Sequence, residues 1–545
     1  MKPPLLLAAG LGLWVLLLPV VHLGPLVAAG EWRGAFPVVA VCTAAAGLLT
    51  AMFYRTRHLE QAAGWVRGKA PWLLAVACVL YFEWSLVRAS AEYRAFSPHM
   101  SQLGLFAQSA WTTLHGHAFA NTHETVDGSL GSHFGVHFSP TLLLLTVPLY
   151  AVWPSPMALL VLQAVFAALA PVVLYLLLRR REVAAEGAWL LAAAMFLLPA
   201  YSRAGWNDFH DVVFLPVFLL AVMWAVHAER RIALWVLAVL ALGVREDAGM
   251  TLAAIGVYVW CARRDRWTAM GLAALGLGWF LIAVALVMPR FRSEGLWMDP
   301  SRFFILHMGW WADSPWEAIG RFFREPGAFF ATVCDTERLR YLYELFRPTL
   351  LLPVAGSLAW VPALPTLAAS LLSEHYWMRN VVKYHVLVPL TFAFTATVFT
   401  AGTLSRVDQR RRGTALLLGL VVLLGVLPAW VFSEDGVRGT GPPVAASRTV
   451  VAVIPEDAAV YVPVGLYAAL SNRSNVGCWE NLGEASIEAI DRGDFGWVVL
   501  WPRGDAPGAG RHALLATLLT GDARYERIEE QAFGPLLVYR KRRAD

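Results

Sequence analysis

Short polar segments interrupt the apolar runs of this chain, and they hold the residue types that acid–base and phosphate chemistry need. They are His137-Phe138-Ser139-Pro140, Asn207-Asp208-Phe209-His210-Asp211, Arg245-Glu246-Asp247, Glu374-His375 and Lys383-Tyr384-His385. Carboxylates and imidazoles exchange protons, and Arg and Lys form charge-assisted hydrogen bonds with phosphate. Because a charge at membrane depth costs about 2.5–3.5 kcal/mol on insertion scales, such residues indicate a functional site.

We expect these segments to converge on one polar cavity at the outer side of a membrane. A single cavity gives several costly charges their partners and water together, whereas isolated charges would each need a separate solution. The residues that we expect there are Asp208, Glu246, Asp247, His137, His210, Arg245, Lys383, Tyr384 and His385.

Structural interpretations stand beside this functional one. His115, His117 and His123 fit solvated loop positions, while Asp208 and His210 could cap a helix that begins at Asp211. Arg245-Glu246-Asp247 could be a turn between two spans in which Arg245 pairs internally. Each of these alternatives would remove residues from the site.

Metal binding has little support from the sequence. His133 and His137 have the spacing of two ligands on a helix, but Gly135 and Pro140 weaken that helix. The five Cys are scattered without a CxxC pair. No metal ligand is therefore assigned, no cofactor is identified, and a divalent metal has no basis in ligand spacing.

The elements that must carry these segments are membrane helices. Hydrophobic residues make up 58% of the 545 residues and charged residues 15%, against about 45–50% and about 25% in globular domains. Mean hydropathy is +0.54, and apolar runs of about 20 residues recur. This excludes a soluble enzyme, a disordered scaffold and a disulfide-rich secreted protein. The net charge of +5 reflects basic residues in short loops, which gives no indication of nucleic-acid binding.

The sequence predicts a mainly α, polytopic protein of 11–13 spans. Spans are expected at Leu5–Ala29, Phe36–Phe53, Trp72–Ala89, Met157–Leu178, Val183–Ala200, Val212–Val226, Ile232–Val244, Ala248–Cys261, Trp267–Met288, Tyr384–Ala401 and Thr414–Val431. The apolar stretch Thr349–Leu372 contains three Pro and is either one broken helix or two half-helices.

Basic clusters predict the orientation of the spans. Arg179-Arg180-Arg181, Arg263-Arg264 and Arg406–Arg412 should face the cytoplasm, which places the polar segments and the C-terminus outside. The segment Ser139–Val152 is too short to cross and would turn Arg179 outward if it did. We expect it to lie along the outer interface, and we interpret the cluster Phe303, Trp310, Trp311, Trp316 and Phe322 as an interfacial aromatic belt rather than a sugar-stacking platform.

Three regions follow from the charge distribution. Residues 1–70 form two N-terminal helices, 71–432 a membrane body with a large outer loop at 90–154, and 433–545 an extracytoplasmic α/β domain. This last region is 24% charged. Its predicted strands are Ala459–Val462, Gly496–Trp501 and Pro535–Arg540, with helices at Gly465–Ser471 and Arg511–Thr520.

The order of the motifs resembles a bacterial membrane-protein family called domain of unknown function two-zero-seven-nine. The resemblance runs from about Trp72 to Ala401, with the C-terminal domain also similar, and it depends on His137-Phe138-Ser139-Pro140, Pro148-Leu149-Tyr150, Gln163, Asp208-Phe209-His210, Arg245-Glu246-Asp247 and Tyr384-His385. That family is related to the GT-C superfamily of membrane glycosyltransferases, which use lipid-phosphate-linked sugars. The resemblance implies a GT-C-like body in the bacterial inner membrane.

One departure concerns the expected catalytic acid. Family members carry two Asp in the first outer loop, where this chain has Gln102 and Ala107, and GT-C enzymes generally place their base in that loop. The acids that could replace it are Glu92, Glu124, Asp127, Asp208, Glu246 and Asp247. We assign the catalytic carboxylate to Asp208, Glu246 or Asp247.

The resemblance implies transfer of a sugar from a polyprenyl-phosphate donor to an extracytoplasmic acceptor. A carboxylate would act as general base, and Arg245, Lys383 and the histidines would hold the donor phosphate. The alternative is a catalytically lapsed GT-C-like binder or transporter of lipid-linked substrates. No internal repeat of the kind that transporters show is visible in the sequence.

Overall fold

The computed structural model describes residues 65–125, 128–292, 307–346, 357–406, 441–478, 485–502 and 509–542. The predicted spans Leu5–Ala29, Phe36–Phe53 and Thr414–Val431 lie outside these residues, as does most of the Arg406–Arg412 cluster.

The described chain is mainly helical. Its helices are α1 Ala70–Arg94, α2 Ser101–Leu114, α3 Pro140–Val152, α4 Pro156–Arg180, α5 Ala185–Ala194, α6 Pro199–Ala204, α7 Leu215–His227, α8 Arg231–Leu242, α9 Ala248–Arg263, α10 Arg266–Phe291, α11 Pro315–Arg324, α12 Pro326–Val333, α13 Thr336–Phe346, α14 Leu364–Leu372, α15 Leu387–Arg406, α16 Val444–Val453, α17 Val464–Tyr467, α18 Ala485–Arg492 and α19 Ala509–Gly521. Short 3₁₀ turns precede α7, α14 and α15, at Asp211–Phe214, Leu358–Ala363 and Tyr384–Val386.

Within the described residues, α1, α4 and α10 are long and apolar enough to cross a membrane. Most of the other predicted spans correspond to apolar helices of 10–17 residues. The predicted span Val183–Ala200 is wrong as a single helix. It breaks at Leu198, whose backbone is extended because Pro199 disfavours a helical residue before it.

Glycines allow α9 and α10 to pack backbone against backbone. A Cβ on Gly249 would lie 2.3 Å from the carbonyl oxygen of Gly276, and one on Gly256 would lie 2.6 Å from that of Ala269. Ser or Ala at Gly249 would therefore force the two helices apart. This close pair fixes the start of α9, which follows directly after Asp247.

The start of α3 is attached to the end of α8. The Thr141 backbone N–H donates to the carbonyl of Gly243 at 2.7 Å, and the Thr141 hydroxyl donates to the carbonyl of Leu240 at 2.9 Å. These bonds place the His137–Pro140 segment beside the Arg245–Asp247 turn. The predicted short helix at Ser139–Val152 is present as the 13-residue α3, and its interfacial orientation stays a prediction.

The C-terminal region contains a five-stranded sheet. Its strands are β3 Val460–Val462, β4 Val476–Cys478, β5 Trp497–Leu500, β6 Tyr525–Ile528 and β7 Leu537–Lys541. A small hairpin of β1 Ala120–Asn121 and β2 Gly131–Ser132 precedes them, in the loop 90–154. The strand order is β4-β3-β5-β7-β6, with β3 parallel to β4 and β5, and β7 antiparallel to β5 and β6. The three predicted strands are confirmed, and the α/β character with them.

One buried amide joins this sheet region to the loop 90–154. The Gln108 side-chain oxygen accepts hydrogen bonds from the Thr122 N–H at 3.0 Å and from the Tyr467 hydroxyl at 2.9 Å, and its Nε2 donates to the carbonyl of Arg473 at 3.1 Å. Gly104 lies one turn earlier on α2, against the Tyr467 ring. Helix α2 is thus packed on the C-terminal region.

Candidate functional site

Arg245 lies at the centre of the site, in the turn between α8 and α9. Its side chain is 12% exposed and sits between two carboxylates, with Nη1 at 3.8 Å from Asp211 Oδ2 and Nε at 3.3 Å from Asp247 Oδ2. Neither contact has hydrogen-bond geometry, and the buried Nε has no hydrogen-bond partner among the described residues. The guanidinium is therefore ion-paired but keeps donors for another oxygen ligand.

Asp211 is the fixed member of this arrangement. Its Oδ1 lies 2.8 Å from His210 Nδ1 and accepts the Val212 N–H at 2.8 Å, and its side chain is 2% exposed. The other oxygen faces Arg245. A buried carboxylate held by these bonds is an immobile counter-ion.

Glu246 organises the His137 segment. One oxygen lies 2.9 Å from His137 Nδ1, and the other accepts the Phe138 N–H at 3.0 Å. Burial by itself would raise the pKa of Glu246, but His137 and these hydrogen bonds outweigh it and the pKa is lowered. Glu246 is thus an occupied, ionised carboxylate.

Asp247 differs from both. Its side chain is 43% exposed, and its inner oxygen Oδ1 has no hydrogen-bond partner among the described residues. Burial of the carboxyl raises its pKa, the negative charge of Glu246 adds to this, and Arg245 opposes it. Asp247 is therefore a partly exposed carboxyl that is more basic than an ordinary Asp.

Asp208 caps a helix, though not the one expected. Its two oxygens accept the backbone N–H groups of Gln102 and Leu103, each at 2.8 Å, at the start of α2. The alternative that Asp208 caps the helix beginning at Asp211 is wrong, because the 3₁₀ turn that begins there has no side-chain cap. The carboxylate lies instead where the positive end of α2 favours it.

Gln163 of α4 fixes the segment from Asn207 to His210 through hydrogen bonds with its backbone. Its Nε2 donates to the carbonyl of Asn207 at 3.0 Å, and its Oε1 accepts the His210 N–H at 2.7 Å. One amide inside the bundle therefore orients both the Asp208 cap and the His210–Asp211 pair.

The Lys383–His385 segment forms the next wall. The Tyr384 ring stacks on His210 with ring centroids 3.2 Å apart, and His385 lies 6.4 Å from His210. The Lys383 ammonium lies 4.8 Å above the Trp377 ring, and burial together with the nearby Arg203 lowers its pKa. A small pocket beside them is lined by Arg203, Asn207, Asp208, His210, Val382 and Tyr384, among others.

A second carboxylate–imidazole pair lies behind His137. His133 Nδ1 is 2.9 Å from Glu124 Oε1, and the Asn121 amide donates to Glu124 Oε2 at 2.8 Å. Burial opposes both charges, but their attraction prevails, so the pKa of Glu124 is lowered and that of His133 is raised. The nine-residue separation gave no helical or strand signal by which to predict this pair.

The histidines of the loop 90–154 differ in their exposure to solvent. His115 and His117 are exposed, as expected, whereas His123 is buried and stacks 5.4 Å from the Tyr467 ring, so the surface interpretation is wrong for it. His133 lies in a 3₁₀ turn rather than an α-helix, and its Nδ1 and that of His137 face different carboxylates. In the described part of the chain, no cluster of three His, Cys, Asp or Glu could hold a metal ion.

The predicted residues thus fall into connected groups. Arg245, Asp211, Asp247 and His210 contact one another in a row, with Tyr384 stacked on His210. Glu246 and His137 adjoin this row through the Arg245–Asp247 turn, and Asp208 and Lys383 lie on the far side of His210. Asp127 lies outside the described residues, and Glu92 lies in α1. The arrangement can bind an anion and accept a proton beside it.

The sequence matches a known protein family. A family described as a predicted membrane protein, DUF2079, matches residues 102–537. The chain belongs to this family. The predicted family is therefore confirmed, and the match spans both the helical body and the C-terminal sheet.

Solved structures with some similarity are membrane glycosyltransferases. The apo oligosaccharyltransferase of Archaeoglobus fulgidus is 10% identical with a TM-score of 0.46, over 79% of this chain and 69% of that one. ArnT from Cupriavidus metallidurans bound to undecaprenyl phosphate is 14% identical with a TM-score of 0.44, and its apo state is 16% identical with a TM-score of 0.46. Each ArnT comparison covers 88% of this chain and 98% of the other. No curated protein matches the chain.

Proposed function

We propose that this protein transfers a sugar from a polyprenyl-phosphate donor to an extracytoplasmic acceptor in the bacterial inner membrane, with its C-terminal region outside. The observation that carries the proposal is Arg245, a nearly buried guanidinium with unused donors in a turn between two apolar helices. An oxyanion brought in by a membrane-bound carrier fits this position, because phosphate accepts several guanidinium N–H groups at once. The family resemblance supplies the sugar and the reaction class.

Asp247 is the base that the geometry favours. Both oxygens of Glu246 and both oxygens of Asp208 already accept hydrogen bonds, whereas the Asp247 side chain is partly exposed and its inner Oδ1 has no hydrogen-bond partner among the described residues. A general base works best with a pKa near the working pH, and burial moves that of Asp247 in this direction. It therefore substitutes for the acid that Gln102 replaces.

The other residues position these two. Glu246 fixes His137 at the edge of the site, and Asp211 holds Arg245 from behind. Lys383, His210, Tyr384 and His385 form the adjoining wall, where Lys383 adds a second cation for the donor. Asp208 acts indirectly, by setting the position of α2.

The chemical step is a single displacement. The acceptor hydroxyl gives its proton to the Asp247 carboxylate while its oxygen bonds to the anomeric carbon of the sugar. The bond from that carbon to the phosphate oxygen breaks, and its electron pair leaves with the polyprenyl phosphate. Arg245 stabilises the negative charge that develops on this leaving group.

Transfer from labelled donors tests the proposal. The full chain in proteoliposomes is mixed with polyprenyl-phosphate sugars labelled in the sugar and with outer-envelope extract as acceptor, and loss of label from the donor is measured. We expect Asp247→Asn to lower the rate at least about 100-fold while donor binding persists. Arg245→Gln should weaken donor binding about 10- to 100-fold.

Asp494→Asn is the matched control. Asp494 also pairs with an arginine, Arg492 at 2.8 Å, but on the exposed surface of the C-terminal region, and its removal should leave transfer unchanged. If the wild-type protein binds the donors without consuming any of them, the lapsed binder is the correct function. If it binds none, the proposed function is wrong.

A further inference from the structure

Two carboxylates flank Arg245, and they differ in how firmly they are held. Asp211 is 2% exposed and bound through His210 and the Val212 N–H, so it cannot move without breaking those bonds. Asp247 is 43% exposed, and within the described residues its one ion pair is the contact from its Oδ2 to Arg245 Nε at 3.3 Å. Asp211 is therefore firmly held, whereas among these residues Asp247 is held by Arg245.

An incoming anion competes with Asp247 for the same cation. A phosphate oxygen forms hydrogen bonds with a guanidinium that are stronger than the present contacts, which lack hydrogen-bond geometry. Asp211 keeps the guanidinium in place while the anion binds, because its own bonds lie on the side away from Arg245. The guanidinium donor that lacks a hydrogen bond, Nε, is the one that Asp247 faces at 3.3 Å, so an anion that bonds to Nε displaces Asp247.

We infer that binding of the donor phosphate at Arg245 releases Asp247 from its ion pair and so turns it into the base, which makes donor binding the first step. This inference rests on the proposed function and adds a regulation of the same site. Without the donor, the Asp247 carboxylate is paired with Arg245. With it, the carboxylate is free beside the bound donor, where the acceptor hydroxyl must arrive.

The charges around Asp247 determine the sign of the coupling. The groups whose charges act on Asp247 are Arg245, Glu246, His137 and Asp211. The titratable groups on neighbouring elements that interact with Arg245 are Tyr384, His210, His385 and His307. Arg245 both pairs with Asp247 and stabilises its ionised form. When an anion neutralises Arg245, the pKa of Asp247 rises. Above the raised pKa, Asp247 stays ionised and is the stronger base, whereas between its two pKa values anion binding takes up a proton and strengthens as the pH falls.

Calorimetry on the full chain in detergent measures this uptake. The probe is farnesyl methyl phosphate, a diester that keeps one negative charge across the pH range and so cannot itself take up the proton. Titrations in buffers of different ionisation enthalpy give the number of protons bound per probe. We expect an uptake approaching one proton between the two pKa values of Asp247, with the affinity rising by up to about tenfold per unit fall in pH.

Variants assign the uptake to a residue. Asp247→Asn should bind the probe with no uptake and a flat pH dependence, whereas Asp494→Asn should behave as the wild type. Asp247→Glu restores a titratable group and should restore uptake, which separates loss of the proton site from misfolding. Circular dichroism and gel filtration confirm that each variant is folded.

The remaining outcomes overturn the inference in distinguishable ways. Probe binding by the wild type without proton uptake refutes the release of Asp247 and leaves the proposed function standing. Uptake that survives Asp247→Asn but is lost in Glu246→Gln would assign the proton to Glu246 and refute it as well. Absence of probe binding, or binding that Arg245→Gln does not weaken, would refute both the inference and the phosphate site.

Discussion

At the residue scale, the site is built from acids paired with imidazoles or backbone N–H groups, and one acid that is left less constrained. Asp211, Glu246 and Glu124 each contact a histidine Nδ1 at 2.8–2.9 Å. Glu246 and Glu124 are therefore hydrogen-bonded through both oxygens, and Asp211 through Oδ1, before any substrate arrives. Asp247 differs because, in the part of the chain that the structure describes, its ion pair is with the cation that a substrate would take.

The Glu124–His133 pair gives a prediction about stability. Glu124→Gln leaves a buried imidazolium without its partner, so we expect the free energy of unfolding to fall by about 3 kcal/mol. Thermal unfolding of both proteins in detergent measures the loss. A change of less than about 1 kcal/mol would show that the pair contributes little.

The same pair predicts how stability depends on pH. The pKa of Glu124 is lowered from 4.5, so its contribution is present above pH 4.5 and is lost as the pH falls through the folded value. The pKa of His133 is raised from 6.5, so its contribution is present below pH 6.5 and is lost as the pH rises through the folded value. The wild type should gain most over Glu124→Gln between pH 4.5 and 6.5. An equal difference at pH 5.5 and pH 9 would contradict this.

At the element scale, helix ends bring the site together. The N-terminus of α2 is capped by the Asp208 carboxylate, and the start of α3 is hydrogen-bonded to the end of α8. Helix α9 begins just after Asp247. These contacts join residues that are about a hundred positions apart in the chain. A polar residue at a helix end therefore acts on a distant helix as readily as on its own.

Two variants distinguish whether Asp208 caps α2 or acts as the catalytic base. If Asp208 is a cap, Asp208→Asn keeps one acceptor and should retain transfer within about tenfold, while Asp208→Ala should lose about 1–2 kcal/mol of stability. Rates and thermal unfolding are measured side by side. A rate that collapses in Asp208→Asn without loss of stability would make Asp208 the base instead.

The sequence predicted helices and strands better than it predicted which polar side chains contact one another. The strands around Val460, Trp497 and Leu537 were predictable because apolar β-formers cluster there, but β4 is a three-residue strand containing Gly477, and β6 carries Glu526 and Arg527 on an edge. The polar segments were predictable from the cost of charge among apolar helices. Their partners were not, because contacts such as Asp208 with Gln102 depend on packing between distant helices.

At the scale of the whole molecule, the C-terminal region is part of the site's support. Gln108 joins α2 to residues of the sheet region through Tyr467 and Arg473, and α2 in turn rests on Asp208. The family match spans both parts, from 102 to 537. Displacement of the sheet region should therefore disturb the site around Arg245 through α2.

A double-mutant cycle at this contact tests the coupling. A Cβ on Gly104 would lie 2.3 Å from Cδ1 of the Tyr467 ring, so Gly104→Ala must push the ring or the helix away. Overpacking of this kind costs about 1–3 kcal/mol. In a Tyr467→Ala background the clash is absent, so the added cost of Gly104→Ala should fall close to zero even though Tyr467→Ala is itself destabilising.

Thermal unfolding of the four proteins gives the coupling energy, and farnesyl methyl phosphate binding shows whether it reaches Arg245. We expect Gly104→Ala to weaken binding in the wild-type background and to have little further effect with Tyr467→Ala. Gly320→Ala is the control, because a Cβ there meets only the end of a flexible arginine at 4.0 Å. If the Gly104 cost is the same in both backgrounds, the Tyr467 ring is not what α2 rests against, and the C-terminal region supports the site by another route.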